Sequence, residues 1–99
     1  PTLAVALPQP GANPPLTRLL VGMHDTKGLD PAGFSVVADF AVEGAAPGTN
    51  LAPRFRESAP GVWELPLAAP LTVARGKLTI SVKDRAGNVT RTERVFTAK

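Results

Sequence analysis

The sequence predicts an all-β fold, an antiparallel β-sandwich of about seven short strands. Three observations lead there. Apolar and polar residues alternate with period two in several runs, most clearly over 34–42 and 77–83. The 11 prolines and 9 glycines are spread between those runs, so turn signals arrive roughly every 8 to 12 residues. Long helices are disfavoured, since each needs about 10 residues free of proline. A small closed barrel is the alternative, but a long Pro-rich crossing after the first strand suits a chain that changes sheets better than tight up-and-down hairpins.

Residues 1–15 form an edge strand and the crossing, and 16–99 the body of one domain. Thr2 to Leu7 alternates with Leu3, Val5 and Leu7 on one face, and the run from Pro8 to Pro15 then stops regular structure. Leu16 to Met23 has apolar residues on both faces, as an inner strand would. His24 to Gly28 is a polar turn, and Leu29 to Gly33 is a single helical turn with Asp30 as N-cap and Pro31 at its first position. Phe34, Val36, Ala38, Phe40 and Val42 mark the longest strand signal. Glu43 to Pro53 is loop, and Arg54-Phe55-Arg56 is a short edge strand blunted by charge. Gly61 to Leu67 alternates again, with Trp63, Leu65 and Leu67 together, and Pro66 implies a flank without a partner. After a lead from Ala68 to Gly76, Lys77 to Phe96 is a hairpin closed by Asp84-Arg85-Ala86-Gly87-Asn88, where Gly87 supplies a positive φ and Asp84 bonds the amide of Ala86 or Gly87.

Composition narrows the function. A hydrophobic fraction of 43% with 19% charged residues is that of a soluble globular domain, and no segment approaches the roughly 18 apolar residues of a membrane span. The absence of cysteine excludes disulfides, thiolate metal sites and a cysteine nucleophile. A net charge of +3 invites nucleic acid. The basic residues are scattered, however, and four Phe and one Trp leave little for base stacking, so no nucleic-acid partner is expected.

Three segments resemble the bacterial immunoglobulin-like (Big-type) modules found as tandem repeats or accessory domains of surface and secreted proteins. These are Asp25-Thr26-Lys27-Gly28-Leu29-Asp30-Pro31-Ala32-Gly33-Phe34, then Gly61-Val62-Trp63-Glu64-Leu65, then the run from Gly76 to Asn88 that ends in an Asp-Xaa-Ala-Gly-Asn hairpin. Phe96 stands where such modules have their last core aromatic. The resemblance implies an immunoglobulin-like sandwich, export to the periplasm, cell surface or medium, and a spacer, scaffold or docking role. Unlike antibody domains, the chain has no paired cysteines and no tyrosine corner.

Candidate sites are few. His24 with Asp25 could begin a metal site or an acid/base pair, but no second His or Cys completes it. Asp25, Asp30, Asp84 and Asn88 offer loop oxygens of the kind used by low-affinity calcium sites, although each also suits a turn cap. Ser35, Ser58 and Ser81 lack a nucleophile context, and Glu57 with Glu64 reads as solvated charge. Trp63 is either core or a sugar-stacking platform. The sequon Asn88-Val89-Thr90 sits in a tight hairpin whose Asn has a backbone role.

The resulting expectation is a non-enzymatic structural or docking module of a larger exported bacterial protein, with no cofactor and no catalytic residue. Its partners would be neighbouring domains of the same polypeptide. A carbohydrate- or protein-binding module, or an appendage to a secreted enzyme whose active site lies elsewhere, is the alternative.

Overall fold

A computed structural model describes residues 2–24 and 29–99, with the side chains of all of these except 29–32. Among these residues eight strands form: β1 (Thr2–Leu7), β2 (Gly11–Asn13), β3 (Leu16–His24), β4 (Leu29–Ala38), β5 (Arg56–Ala59), β6 (Val62–Leu71), β7 (Val73–Asp84) and β8 (Val89–Ala98), with one 3-10 turn at Ala52–Arg54. They make two four-stranded sheets, ordered β1-β3-β6-β5 and β2-β8-β7-β4. Adjacent strands are antiparallel except β2 and β8, which run parallel. This is the immunoglobulin arrangement with its first strand divided between the two sheets.

That division accounts for the strand beyond the expected seven. The run after Leu7 does not stop regular structure: the chain leaves the first sheet at the cis Leu7–Pro8 bond, and Gly11, Ala12 and Asn13 then pair with Phe96, Thr97 and Ala98 in the second. Asn13 fixes the crossing, because its Oδ1 accepts the Gln9 N–H at 2.9 Å while its Nδ2 donates to the Gln9 and Thr97 carbonyls at 2.8 and 3.2 Å. An amide side chain with donors and an acceptor joins loop to strand where proline N–H groups are missing.

The expected helical turn at Leu29 to Gly33 is strand instead, with Leu29 opposite Asp84 and Asp30 opposite Lys83. Asp30 is therefore no N-cap. Pairing with the long β7 outweighs the local Asp-Pro signal, and Pro31 falls in the irregular stretch between Asp30 and Ser35 on an outer strand, where a missing N–H is tolerated. The strand predicted to reach Val42 ends at Ala38. Phe40 and Val42 still pack inward, Val42 through a single bridge to Ala45. The predicted Arg54-Phe55-Arg56 strand splits into the 3-10 turn and β5, which starts at Arg56. The lead from Ala68 to Gly76 belongs to β6 and β7, so the hairpin begins at Val73. β5 pairs with β6 only as far as Glu64, which leaves the flank beside Pro66 open among the described residues, as its lack of an N–H requires.

Alternation decides the core. Leu78, Ile80 and Val82 of β7 face Leu19, Val21 and Met23 of β3 across the sandwich, all buried. Aromatic rings join the two sheets at one level and brace the second sheet at another. Phe34 of β4 meets Trp63 of β6 at 5.8 Å and Phe55 edge-on at 5.6 Å, and Phe40 meets Phe96 edge-on at 5.6 Å. Each such pair is worth about 0.5–1.5 kcal/mol beyond its burial. Gly76 makes room for the second pair, since a Cβ there would lie 2.7 Å from Phe40 Cε1 and 2.9 Å from Val73 Cγ1.

Candidate functional site

Of the residues singled out from sequence as calcium candidates, Asp84 and Asn88 are the two whose side chains are described. Asp25 lies outside the described residues, and of Asp30 only the backbone, in β4, is described. Asp84 and Asn88 sit together at the β7–β8 turn and engage each other. Asp84 Oδ1 accepts the Asn88 N–H at 2.8 Å and Oδ2 accepts Asn88 Nδ2–H at 2.9 Å, while Asp84 N–H donates to the Asn88 carbonyl at 3.0 Å. Gly87, at φ 93°, donates its N–H to the Asp84 main-chain carbonyl at 3.1 Å. The side-chain amide of Asn88 is the largest influence holding the Asp84 carboxyl below its ordinary range; partial desolvation opposes it, and the backbone amides of Asn88 and Ala86 assist it. Asp84 is only 3% exposed. Its carboxylate stabilises the turn as an ionised acceptor, with Asn88 as the main donor; the expected Ala86 amide only assists, and the Gly87 N–H goes to the main chain instead of the carboxylate.

Trp63 is half-buried and packs on the core through Phe34, so its ring joins the two sheets. His24 ends β3, exposed and paired in register with Thr2, beside a shallow groove of about 390 Å³ lined by Gly22, Pro60 and Gly61. Among the described residues no three His, Asp or Glu side chains stand together as a metal set.

Several polar residues with clear tasks carried no sequence signal of them. Asn50 Oδ1 accepts the N–H groups of Val36 and Ala52, both at 3.0 Å, and with the Leu51 N–H bonded to the Val36 carbonyl at 2.7 Å this loop covers the outer edge of β4. Glu43, at φ 43°, accepts the Ala68 N–H at 2.9 Å. Asp39 accepts the Lys77 N–H at 2.8 Å, and Glu57 the Gly61 N–H at 3.0 Å. Glu64 pairs with Arg18 at 2.9 Å and Glu93 with Lys77 at 3.3 Å. Of the eight acidic residues, each one whose side chain is described is thus engaged with the chain's own backbone or side chains. The long-range pairs among these depend on register, which a sequence does not display.

The class defined by these features is an immunoglobulin-like β-sandwich whose described carboxylates are engaged within the fold. No family model matches the chain, and no curated protein matches it. Among solved structures it is similar to the crystal structure of CopC from Methylosinus trichosporium OB3b, at 14% identity and a TM-score of 0.56, over 92% of this chain and 83% of that one. At that identity the likeness concerns the fold.

Proposed function

We propose that the chain is a non-catalytic spacer module of the bacterial immunoglobulin-like kind, set within a larger exported protein and partnered by the domains that flank it. One observation carries this reading: the chain enters and leaves at opposite ends of the sandwich. Thr2 pairs with His24 at the end that also holds the β7–β8 turn. β1 and β2 then advance in the direction of β8, and Asn13 and Ala98 finish side by side at the far end. The body measures 39 × 24 × 23 Å, its long dimension close to the roughly 40 Å that the 12 residues of β7 span as extended chain.

A domain threaded end to end adds its length to whatever it joins and orients its neighbours along its axis. The engagement of the described carboxylates within the fold supports the same reading, because it leaves them committed to holding loops and edges. Among the described residues no helix is long and apolar enough to cross a membrane.

The test is replacement within the parent polypeptide. Exchanging residues 2–98 for an unrelated sandwich of similar end-to-end span should preserve the parent's activity, whereas deleting them should impair it. Loss of activity on exchange, with the protein folded and exported, overturns the spacer reading in favour of a specific binding surface.

A further inference from the structure

We propose that the open flank of β8 joins two copies of this chain edge to edge, through an antiparallel β8–β8 ladder centred on Thr92. The inference starts from which strand edges are covered. The outer edge of β4 is sealed by the loop around Asn50, and β5 is four residues long with Arg56 and Glu57 at its start. The flank of β1 is broken by an irregularity between Val5 and Leu7. β8 differs. β2 pairs with its flank only at Phe96, Thr97 and Ala98, so from Val89 to Val95 no described strand is paired with it there, although β1 packs nearby and Arg94 donates to the Pro8 carbonyl at 3.3 Å.

The ladder determines which groups face that flank. Asp84 N–H bonds the Asn88 carbonyl, so by the antiparallel alternation the even residues of β8 bond β7 and the odd ones address the other side. Two bonds on the β2 side agree: Lys99 N–H donates to the Asn13 carbonyl at 3.0 Å, and the Thr97 carbonyl accepts from Asn13 Nδ2. Arg91, Glu93 and Val95 therefore direct backbone donors and acceptors outward. Exposed backbone of this kind is a template for one more strand.

The side chains say which strand. The segment Val89-Thr90-Arg91-Thr92-Glu93-Arg94-Val95 is complementary to itself when reversed about Thr92. In that register Arg91 lies opposite Glu93 of the second copy, and Glu93 opposite its Arg91. Val89 lies opposite Val95 twice over. The two valines are the exposed large hydrophobics of the described chain, at 64% and 47%, and all four residues share the outer face of the sheet. Arg91 has no ion pair of its own among the described residues, and Glu93 has only an exposed one with Lys77. Opposite charges and apolar pairs directly across a ladder stabilise it, and a two-fold axis makes each contact occur twice. The ladder is also centred on the unpaired stretch, because Thr92 is the midpoint between the turn and the place where β2 takes over the flank.

Sedimentation equilibrium of the chain over a rising concentration series tests this, with each variant's fold checked by thermal denaturation. The wild type should pass from monomer to dimer. Arg91→Glu and Glu93→Arg each place like charges face to face twice, and each should weaken self-association by roughly tenfold or more. Mixed in equal amounts, the two variants should form a heterodimer, since every like-charged pair then becomes an opposite one. A wild type that stays monomeric throughout overturns the proposal and leaves the flank to a foreign strand. Single variants that dimerise as well as the wild type, or a mixture that fails to associate, overturn the β8 register.

Discussion

Asp84 and Asn88 close the β7–β8 hairpin reciprocally, the carboxylate taking both the backbone and side-chain N–H groups of Asn88 while the Asp84 N–H returns a bond to the Asn88 carbonyl. Two side chains four residues apart thus fix the turn that sets the register of the longest ladder in the protein. Because Asn88 holds the folded carboxyl below the ordinary value of 3.8, the ionised form is favoured by folding. The stability it contributes is complete above the unfolded value and disappears as pH falls through the lower folded one. The melting temperature should accordingly drop as pH is taken from 5 toward 2, and Asp84→Asn should both lower it at neutral pH and flatten that acid limb. A variant whose acid limb matches the wild type's would assign the effect to another carboxylate.

Gly76 is buried beneath Phe40, and a methyl group there would lie well inside contact distance of that ring. Gly76→Ala should cost about 1–3 kcal/mol by overpacking. Urea denaturation of the double variant with Phe40→Leu should recover part of the loss, because the smaller side chain vacates the space. Strict additivity of the two substitutions would contradict the contact.

Asn50 serves two amides with one oxygen, and Val36, which it caps, is fully buried. Asn50→Ala leaves both N–H groups without that acceptor and should cost about 1–3 kcal/mol. Asn50→Asp, which keeps an acceptor, should cost less. Amide exchange at Val36 should accelerate in the alanine variant alone.

Trp63 belongs to the packing between sheets, so Trp63→Ala should destabilise the chain by about 3 kcal/mol. Its fluorescence in the wild type should stay unchanged when soluble glycans are titrated in. A saturable spectral response to a glycan would restore the sugar-platform alternative.

The parts legible in the sequence are those governed by short-range patterns. The period of two along β4 and β7 identified the buried faces, and Asp84, Gly87 and Asn88 announced their turn because its bonds run between near neighbours. What was missed depends on distant chain. Gly11 to Asn13 has a composition that reads as loop and becomes strand only because β8 passes alongside it. Leu29 to Gly33 carries a helix-start signal that β7 overrides, since extension of an existing ladder outweighs one capping bond. The roles of Asn50 toward Val36, Glu43 toward Ala68 and Asp39 toward Lys77 were invisible for the same reason, these partners lying 14 to 38 positions away. The self-complementary run from Val89 to Val95 was present in the sequence throughout, but it acquires meaning only once that flank is seen to be open.

The polypeptide traverses the sandwich from one end to the other. Since the chain has no cysteine, Thr2→Cys and Lys99→Cys, both at exposed positions, can be spin-labelled specifically and their separation measured by pulsed dipolar spectroscopy on a dilute, frozen sample. The fold predicts a distance approaching the 39 Å long dimension. A distance near the 24 Å width would place both ends on one side and contradict the account.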